Sequence, residues 1–233
     1  STIFGFEVDR KGNPDHFFEG FLGKTATLGL GFQMGGPKFK LTVERDAKVN
    51  LDMDIDFDLN EANRIVYDVY RKKNWKIAEF WDHCEEFLHA MVGNKTMYWD
   101  YADDSLWIDG PNNKIFFPNG TWLYYPGLDY SGGQFTYLNK QGKGYKLKYI
   151  YGGLFCENII QKFARDITSY HGIIIAERLP LVMHTYDEWI ALLKLERAKK
   201  DMQFMIDTMK VPPKWAASIP LDAEGGFAKE YSK

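Results

Sequence analysis

The sequence predicts an α+β fold, because helical and strand-like patterns occupy separate stretches of the chain. Apolar residues recur at helical spacing along 61–91 and again along 154–177. Between these stretches, turn signals separate short apolar and aromatic segments over residues 95–150. Two further apolar runs, 179–183 and 189–193, flank a polar tip and predict a β-hairpin.

The composition allows a real core and indicates no membrane segment. The 233 residues are 45% hydrophobic and 16% aromatic, which suits one domain or two small ones. The sequence contains neither a run of eighteen apolar residues nor the pattern of a signal peptide, so a cytoplasmic protein without a membrane partner is expected. Cys84 and Cys156 form no ligand cluster and suit a reducing setting. A net charge of −3 does not favour nucleic acid, so any DNA contact needs local basic groups.

A first helix is predicted over residues 15–32, with Asp15 as its N-cap. Lys24, Leu28 and Phe32 follow one another at intervals of four residues, so they share one face of this helix. By itself, this face is typical of an ordinary amphipathic helix with a solvated lysine.

The helical stretch 61–91 is predicted to bury an apolar stripe in the core. It is preceded by a helix cap at Asp58 or Asn60, and Asn74 is expected to divide it into two helices. A short amphipathic helix is also predicted over 196–210, where a Val-Pro-Pro sequence ends it.

The helix predicted over 154–177 carries a polar line beside its buried face. Surface pairing along the helix accounts for such a line. The polar line consists of Glu157, Gln161, Arg165 and Thr168.

The predicted hairpin carries Asp187 and Glu188 at its tip, next to apolar strands. Burying carboxylates costs several kcal/mol unless they are paired or bind a metal. A divalent-metal site is therefore one interpretation of this tip, and a solvated acidic turn is the other.

Taken in order, these segments resemble the C-terminal part of a family A DNA polymerase, the DNA polymerase I type, in the branch common in phages. The resemblance rests on residues 23–35, on 151–166, on the Asp187-Glu188 tip and on 212–225, and it runs from about Pro14 to Lys233. It implies a mainly helical fingers region with small β-hairpins over 1–140, with a nucleotide-binding helix at about 15–35. It further implies a palm portion over 141–233, with a long helix and the Asp-Glu hairpin.

The resemblance also implies roles for single residues. Lys24 would act in catalysis by holding the phosphates of the incoming nucleotide, Leu28 would lie against its sugar and base, and Phe32 would stack near the templating base. Gln161 would contact the minor groove near the primer end. Further DNA contacts are implied for Asn158, Arg165 and Tyr186.

Catalysis in the family implies two Mg²⁺ ions, held here by the catalytic residues Asp187 and Glu188. A second aspartate, which the resemblance places in a strand before the nucleotide helix, has no match in this sequence. The implied partners are primer-template DNA, a dNTP and a complementary polymerase subunit that carries the thumb and the other aspartate. The chain is then either one subunit of a split polymerase or a fragment.

Three departures from the family pattern leave other functions open. Gly20 and Thr121 stand where arginines are usual, and Tyr186 stands in place of a histidine. A non-catalytic remnant of a polymerase that binds DNA or a replisome protein is the first alternative. A metal hydrolase that uses His184 with the two carboxylates is the second.

Overall fold

The computed structural model describes residues 3–9, 12–99 and 106–231. Helices and small antiparallel hairpins follow one another along the chain, so the predicted α+β class is confirmed. Within the described ranges, no helix combines the length and the apolar character that crossing a bilayer requires. The α-helices are α1 (Phe17–Leu30), α2 (Gly36–Leu51), α3 (Leu59–Asn63), α4 (Arg71–Lys73), α5 (Trp75–Val92), α6 (Gly152–Ala176) and α7 (Ala198–Met209).

The described strands form three small sheets. A four-stranded sheet has the order β1-β2-β3-β4, and a three-stranded antiparallel sheet has the order β5-β6-β7. The third sheet is the β8–β9 hairpin. The strands are β1 (Thr96–Tyr98), β2 (Trp107–Asp109), β3 (Lys114–Phe116), β4 (Trp122–Tyr124), β5 (Asp129–Ser131), β6 (Gln134–Gln141), β7 (Gly144–Ile150), β8 (Leu181–Thr185) and β9 (Glu188–Ala191).

The chain divides into two compact units. The first consists of Ser1–Met97, Ile108–Asn113 and Tyr124–Asn158, and the second of Tyr98–Trp107, Lys114–Leu123 and Ile159–Lys233. The predicted division of the chain at residue 140, into fingers and palm, is a functional one. The two compact units do not test it, so it stays a prediction. In the first unit a continuous core joins α1, α2, α3 and the π-helix Arg64–Tyr70. Its fully buried members are Phe39, Val43, Ala47, Ala62 and Ile65.

The helical stretch after Asp58 begins and breaks where the sequence predicts. The Asp58 carboxylate accepts a hydrogen bond from the Glu61 backbone amide at 2.8 Å, which confirms the cap. Asn74 leaves the helical region at φ −107° and ψ 43°, so the predicted break is confirmed. A π-helix, Arg64–Tyr70, lies between α3 and α4 and was not predicted.

The first helix differs from its prediction at both ends. Asn13, and not Asp15, caps the start, because its side chain accepts from the Asp15 amide at 3.0 Å and Pro14 opens a 3-10 turn. The helix α1 ends at Leu30, two residues before the predicted end at Phe32. The following turn places Gln33 at φ +66°, in the left-handed region, so a continuous helix through Phe32 is wrong.

Candidate functional site

Helix α1 presents Lys24 and Leu28 to solvent. Leu22, Ala26 and Leu30 on its other side are at most 2% exposed, so packing fixes which face points outward. Leu28 is 65% exposed and leaves an apolar surface beside the lysine. Phe32 is half-buried in the turn that follows α1.

The turn after α1 is held by α5 and by the first residues of α6. The Trp81 indole on α5 donates to the Gly31 carbonyl at 2.9 Å. The backbone amide of Gly153 in α6 donates to the Gln33 side-chain oxygen at 3.0 Å. This amide is one of the four at a helix start that lack a partner within the helix, so Gln33 supplies a cap to α6. The turn that carries Phe32 is therefore fixed on both sides.

The approach of this turn to α6 leaves no room for a side chain at the helix start. A Cβ atom at Gly153 would lie 2.4 Å from Gln33 Cβ and 2.8 Å from the Phe32 carbonyl oxygen. The neighbouring Gly152 is equally enclosed, and its amide donates to the Glu85 carboxylate at 2.5 Å. Gln33, Trp81 and Glu85 were missed by the sequence reasoning, because their partners lie far along the chain.

A pocket of about 1050 Å³ adjoins α1 on the side of Gly23 and Thr27. The π-helix and the start of α5 contribute Tyr70 and Ile77 to its wall. Lys24 and Leu28 are not among its lining residues, so this pocket does not unite the residues predicted to bind nucleotide.

On α6, Gln161 and Arg165 of the predicted polar line are exposed, whereas Glu157 is half-buried and Thr168 is buried. Asn158 is half-buried, and its amide donates to the Tyr125 hydroxyl at 3.0 Å. Burial raises the pKa of the Tyr125 phenol, and the hydrogen bond from Asn158 offsets part of that rise. The Asn158 amide therefore has a structural partner, in addition to the DNA contact predicted for it.

A second polar cluster ties α6 to the turn between β3 and β4, within the second unit. The Asp166 carboxylate accepts from Asn119 and from Thr121, each at 2.7 Å, and from Lys162. Burial acts to raise the pKa of Asp166, but these donors outweigh it and hold the pKa below its ordinary value. Thr121, which stands where the resemblance expects an arginine, is therefore engaged in anchoring the turn.

The predicted hairpin near the end of the chain is confirmed. Strands β8 and β9 pair antiparallel with Thr185 opposite Glu188, which leaves Tyr186 and Asp187 as a two-residue turn. Tyr186 has φ +53° and is 89% exposed, and Asp187 is exposed beside it. Glu188 begins β9 and is half-buried, and its carboxylate accepts from the Tyr231 hydroxyl at 3.3 Å.

His184 does not join the carboxylates. It pairs with Trp189 across the hairpin and stacks on the indole at 3.9 Å, and directly opposite residues share one face of a strand pair. Trp189 in turn donates to the Thr168 carbonyl at 3.0 Å. Thr185 and Glu188 occupy the other face, so the hydrolase site predicted from His184, Asp187 and Glu188 is wrong.

The two carboxylates satisfy only part of a metal shell. Among the described residues, no group of three or more His, Cys, Asp and Glu side chains is placed to hold an ion. Mg²⁺ commonly takes one or two carboxylates and completes its octahedron with water and substrate phosphates. Asp187 and Glu188 are compatible with that donor set.

The fold and these features define an α+β chain in which helix α1 exposes Lys24 and the β8–β9 turn exposes Asp187. Over 228 aligned residues, the chain is 31% identical to the DNA polymerase of Bacillus phage SP02. The alignment covers 91% of this chain and 32% of that polymerase, so the chain spans about a third of its relative's length. It matches no family model and no solved structure. The similarity supports a resemblance to part of a DNA polymerase, and the family A assignment stays a prediction.

Proposed function

We propose that this chain is the C-terminal portion of a family A DNA polymerase and takes part in adding dNTPs to a primer 3′ end. The observation that carries the proposal is its similarity, over nearly its whole length, to a third of a phage DNA polymerase. The exposed positions of Lys24 and Asp187 support it, because both side chains are free of burial and open to a large substrate.

The nucleotide would lie along α1. Lys24 offers a compact cation for the triphosphate, and the exposed Leu28 one turn later offers an apolar surface for the sugar and base. Phe32 would contact the templating base from the turn that Trp81 and Gly153 hold in place. A fixed turn limits the motion of the ring, and positioning of this kind lowers the entropic cost of the reaction.

Asp187 and Glu188 would hold Mg²⁺ at the hairpin turn. When bound, a pair of such ions stabilises the charge on the attacking and leaving oxygens of phosphoryl transfer. The further aspartate and the thumb are proposed to come from polypeptide outside this chain, either in a longer protein or in a separate subunit.

The primer-template would contact α6 and the hairpin turn. Gln161 and Arg165 are exposed on α6 and can reach the minor groove and the phosphates, respectively. Tyr186 projects from the turn with its hydroxyl accessible to the primer backbone. Asn158 would contribute to DNA binding through its amide oxygen and the amide hydrogen that is not donated to Tyr125.

Primer extension by the complete polymerase, assembled from this chain and the polypeptide that carries the remainder, tests the proposal. We expect Asp187→Asn to lower single-nucleotide incorporation by at least about a hundredfold, the scale of losing one preorganised charged group. The matched control is Asp207→Asn, an exposed carboxylate on α7 that accepts a hydrogen bond from a surface glutamine one turn earlier in the same helix. Normal extension by the Asp187 variant would overturn the proposal.

The engagement of Thr121 by Asp166, and the glycine at position 20, favour a second candidate function. A chain that lacks both arginines could serve as a non-catalytic module that binds DNA or a replisome protein. Salt-dependent DNA binding, with no incorporation in the complete assembly, would support this second function over the first.

A further inference from the structure

The β6–β7 hairpin presents an exposed ribbon. Its base is buried, with Phe135 and Ile150 each 2% exposed and opposite each other in the register. Beyond that base, every β7 residue over 144–149 is exposed. In the sheet order β5-β6-β7, strand β7 is an edge, so its outer side has no neighbouring strand within the sheet.

One face of this ribbon carries large exposed side chains. Tyr145, Leu147 and Tyr149 alternate along β7, so they share a face, and they are 62%, 67% and 67% exposed. Lys140 lies opposite Tyr145 in the register and therefore joins the same face. Two exposed rings on either side of an exposed leucine form an apolar strip of the kind that marks an interaction surface.

The charge of the same segment is positive, in contrast to the chain as a whole. Acidic residues outnumber lysine and arginine by 32 to 29 overall, but no Asp or Glu lies between Asp129 and Glu157. Four lysines occur in this acid-free segment, and none of them forms an ion pair among the described residues. They are Lys140, Lys143, Lys146 and Lys148.

Lysines on an edge strand also discourage pairing with another chain. That role accounts for the charges, but it does not account for two tyrosine rings and a leucine left in solvent on the same strand. Cations without local counter-charges, combined with exposed rings, complement a ligand that is both anionic and aromatic. A single nucleic-acid strand has this chemistry, with phosphates and unpaired base faces together.

We propose that the β6–β7 hairpin binds single-stranded DNA. Tyr145 and Tyr149 stack on bases about 13 Å apart along β7, the rise of four extended residues. Lys140 on the face of these rings and Lys143 at the turn bind the flanking phosphates. Lys146 and Lys148 alternate to the other face of β7 and reach the phosphates around the edge of the ribbon. This surface lies beyond the proposed polymerase site, because no residue proposed for nucleotidyl transfer belongs to the hairpin.

Fluorescence anisotropy with a labelled oligothymidylate of about 15 nucleotides tests the inference on the full chain, without nucleotide or metal. Its outcome is therefore independent of whether the chain supports nucleotide addition. We expect Tyr145→Ala with Tyr149→Ala to weaken binding by at least about thirtyfold, since each base stacked on a ring is worth roughly fivefold or more. The slope of log K against log salt should stay unchanged, because no cation is removed.

The four lysine-to-glutamine changes should instead act on the salt dependence. Each phosphate contact with a single strand contributes about 0.7 to the slope, so replacing all four reduces its magnitude by roughly 2 to 3. The matched control replaces four helical lysines, Lys72, Lys76, Lys199 and Lys200, and should leave the slope nearly unchanged. Tyr145→Phe with Tyr149→Phe keeps both rings and should bind as the original chain does.

Four results would overturn the inference. The first is undetectable binding of the oligonucleotide at low salt by the unaltered chain. The second is a tyrosine-to-alanine variant that melts normally and binds like its phenylalanine counterpart. The third is an equal effect of the hairpin and helical lysine sets on the salt slope. The fourth is self-association of the hairpin lysine variant with unchanged DNA affinity. The third result would show that the lysines act only through the overall charge of the chain. The fourth would show that they protect the edge strand from pairing with another chain.

Discussion

The Lys162 ammonium lies 2.5 Å from an Asp166 carboxylate oxygen, one turn along α6, in a pair with side chains only 17% and 12% exposed. Thr121 and Asn119 bind the same carboxylate from the β3–β4 turn. Both charges are therefore desolvated and depend on each other and on two neutral donors. The pair fixes the turn to the helix that also carries Gln161.

Removal of the Asp166 carboxylate should be strongly destabilising. Asp166→Ala leaves Lys162 largely buried without its partner, and breaking such a pair costs about 3–5 kcal/mol. Asp68→Ala is the control, because its ion pair with Lys72 has the same four-residue spacing but is 60–71% exposed and worth at most about 1 kcal/mol. Urea denaturation of both variants measures the two costs. Equal costs would contradict the assignment of Asp166 as an anchor.

The same carboxylate should make stability depend on acid. The pKa of Asp166 is lower in the folded chain than its ordinary value of 3.8, so its contribution is present above that value and is lost as the pH falls through the folded pKa. The free energy of unfolding of wild type should therefore exceed that of Asp166→Asn by a constant amount above about pH 5. The difference should shrink below about pH 4. A difference that grows on acidification would have the wrong sign.

Gly153 and Gly23 should respond oppositely to alanine. Both are helical, but a Cβ at Gly153 meets Gln33 and Phe32, whereas a Cβ at Gly23 meets nothing within 4 Å. Gly153→Ala should cost roughly 1–3 kcal/mol through overpacking, and Gly23→Ala should add about 0.5–1 kcal/mol through helix propensity. Thermal denaturation of the two variants measures both changes in stability. If Gly153→Ala stabilised the chain, the turn after α1 would have to move aside without a cost in free energy.

The two cysteine thiols should be protected in the folded chain. Cys84 is fully buried and Cys156 is 2% exposed. The contact with the Cys156 thiol, followed by burial, raises the pKa of the Cys84 thiol and so lowers its thiolate fraction. Reaction with an aromatic disulfide reagent at neutral pH should be at least about a hundredfold slower than in urea, because it requires opening of the fold. Ser218→Cys adds an exposed thiol and should react at once. Rapid reaction of all three thiols in the folded Ser218→Cys variant would contradict the burial of Cys84 and Cys156.

Lys24 and Gln161 should affect different steps of the proposed reaction. Lys24→Ala in the complete polymerase should lower incorporation by at least about a hundredfold with little change in DNA affinity, because its contact is to the nucleotide. Gln161→Ala should impair extension from mismatched primer ends and leave nucleotide affinity near normal. Single-turnover kinetics with matched and mismatched primers separates the two effects. Unchanged incorporation by Lys24→Ala would remove α1 from the nucleotide site.

Local patterns were sufficient to predict several elements. The cap at Asp58, the break at Asn74 and the hairpin around Asp187 each depend on residues close together in sequence. The first helix was predicted less well, because Asn13 and Pro14 reorganise its start and the left-handed Gln33 follows its end. Helix α2 was not among the predicted elements.

By itself, the sequence determined the α+β class, the outward face of α1 and the acidic hairpin, since helical and strand periodicities are local properties of the chain. The tertiary structure alone decided which side chains hold these elements in place. Gln33 binds Gly153 across 120 residues, and Thr121 binds Asp166 across 45. It also decided that His184 stacks on Trp189 and leaves the carboxylates without a third ligand. Contacts between distant residues depend on how the elements pack together, and no local pattern in the sequence records that packing.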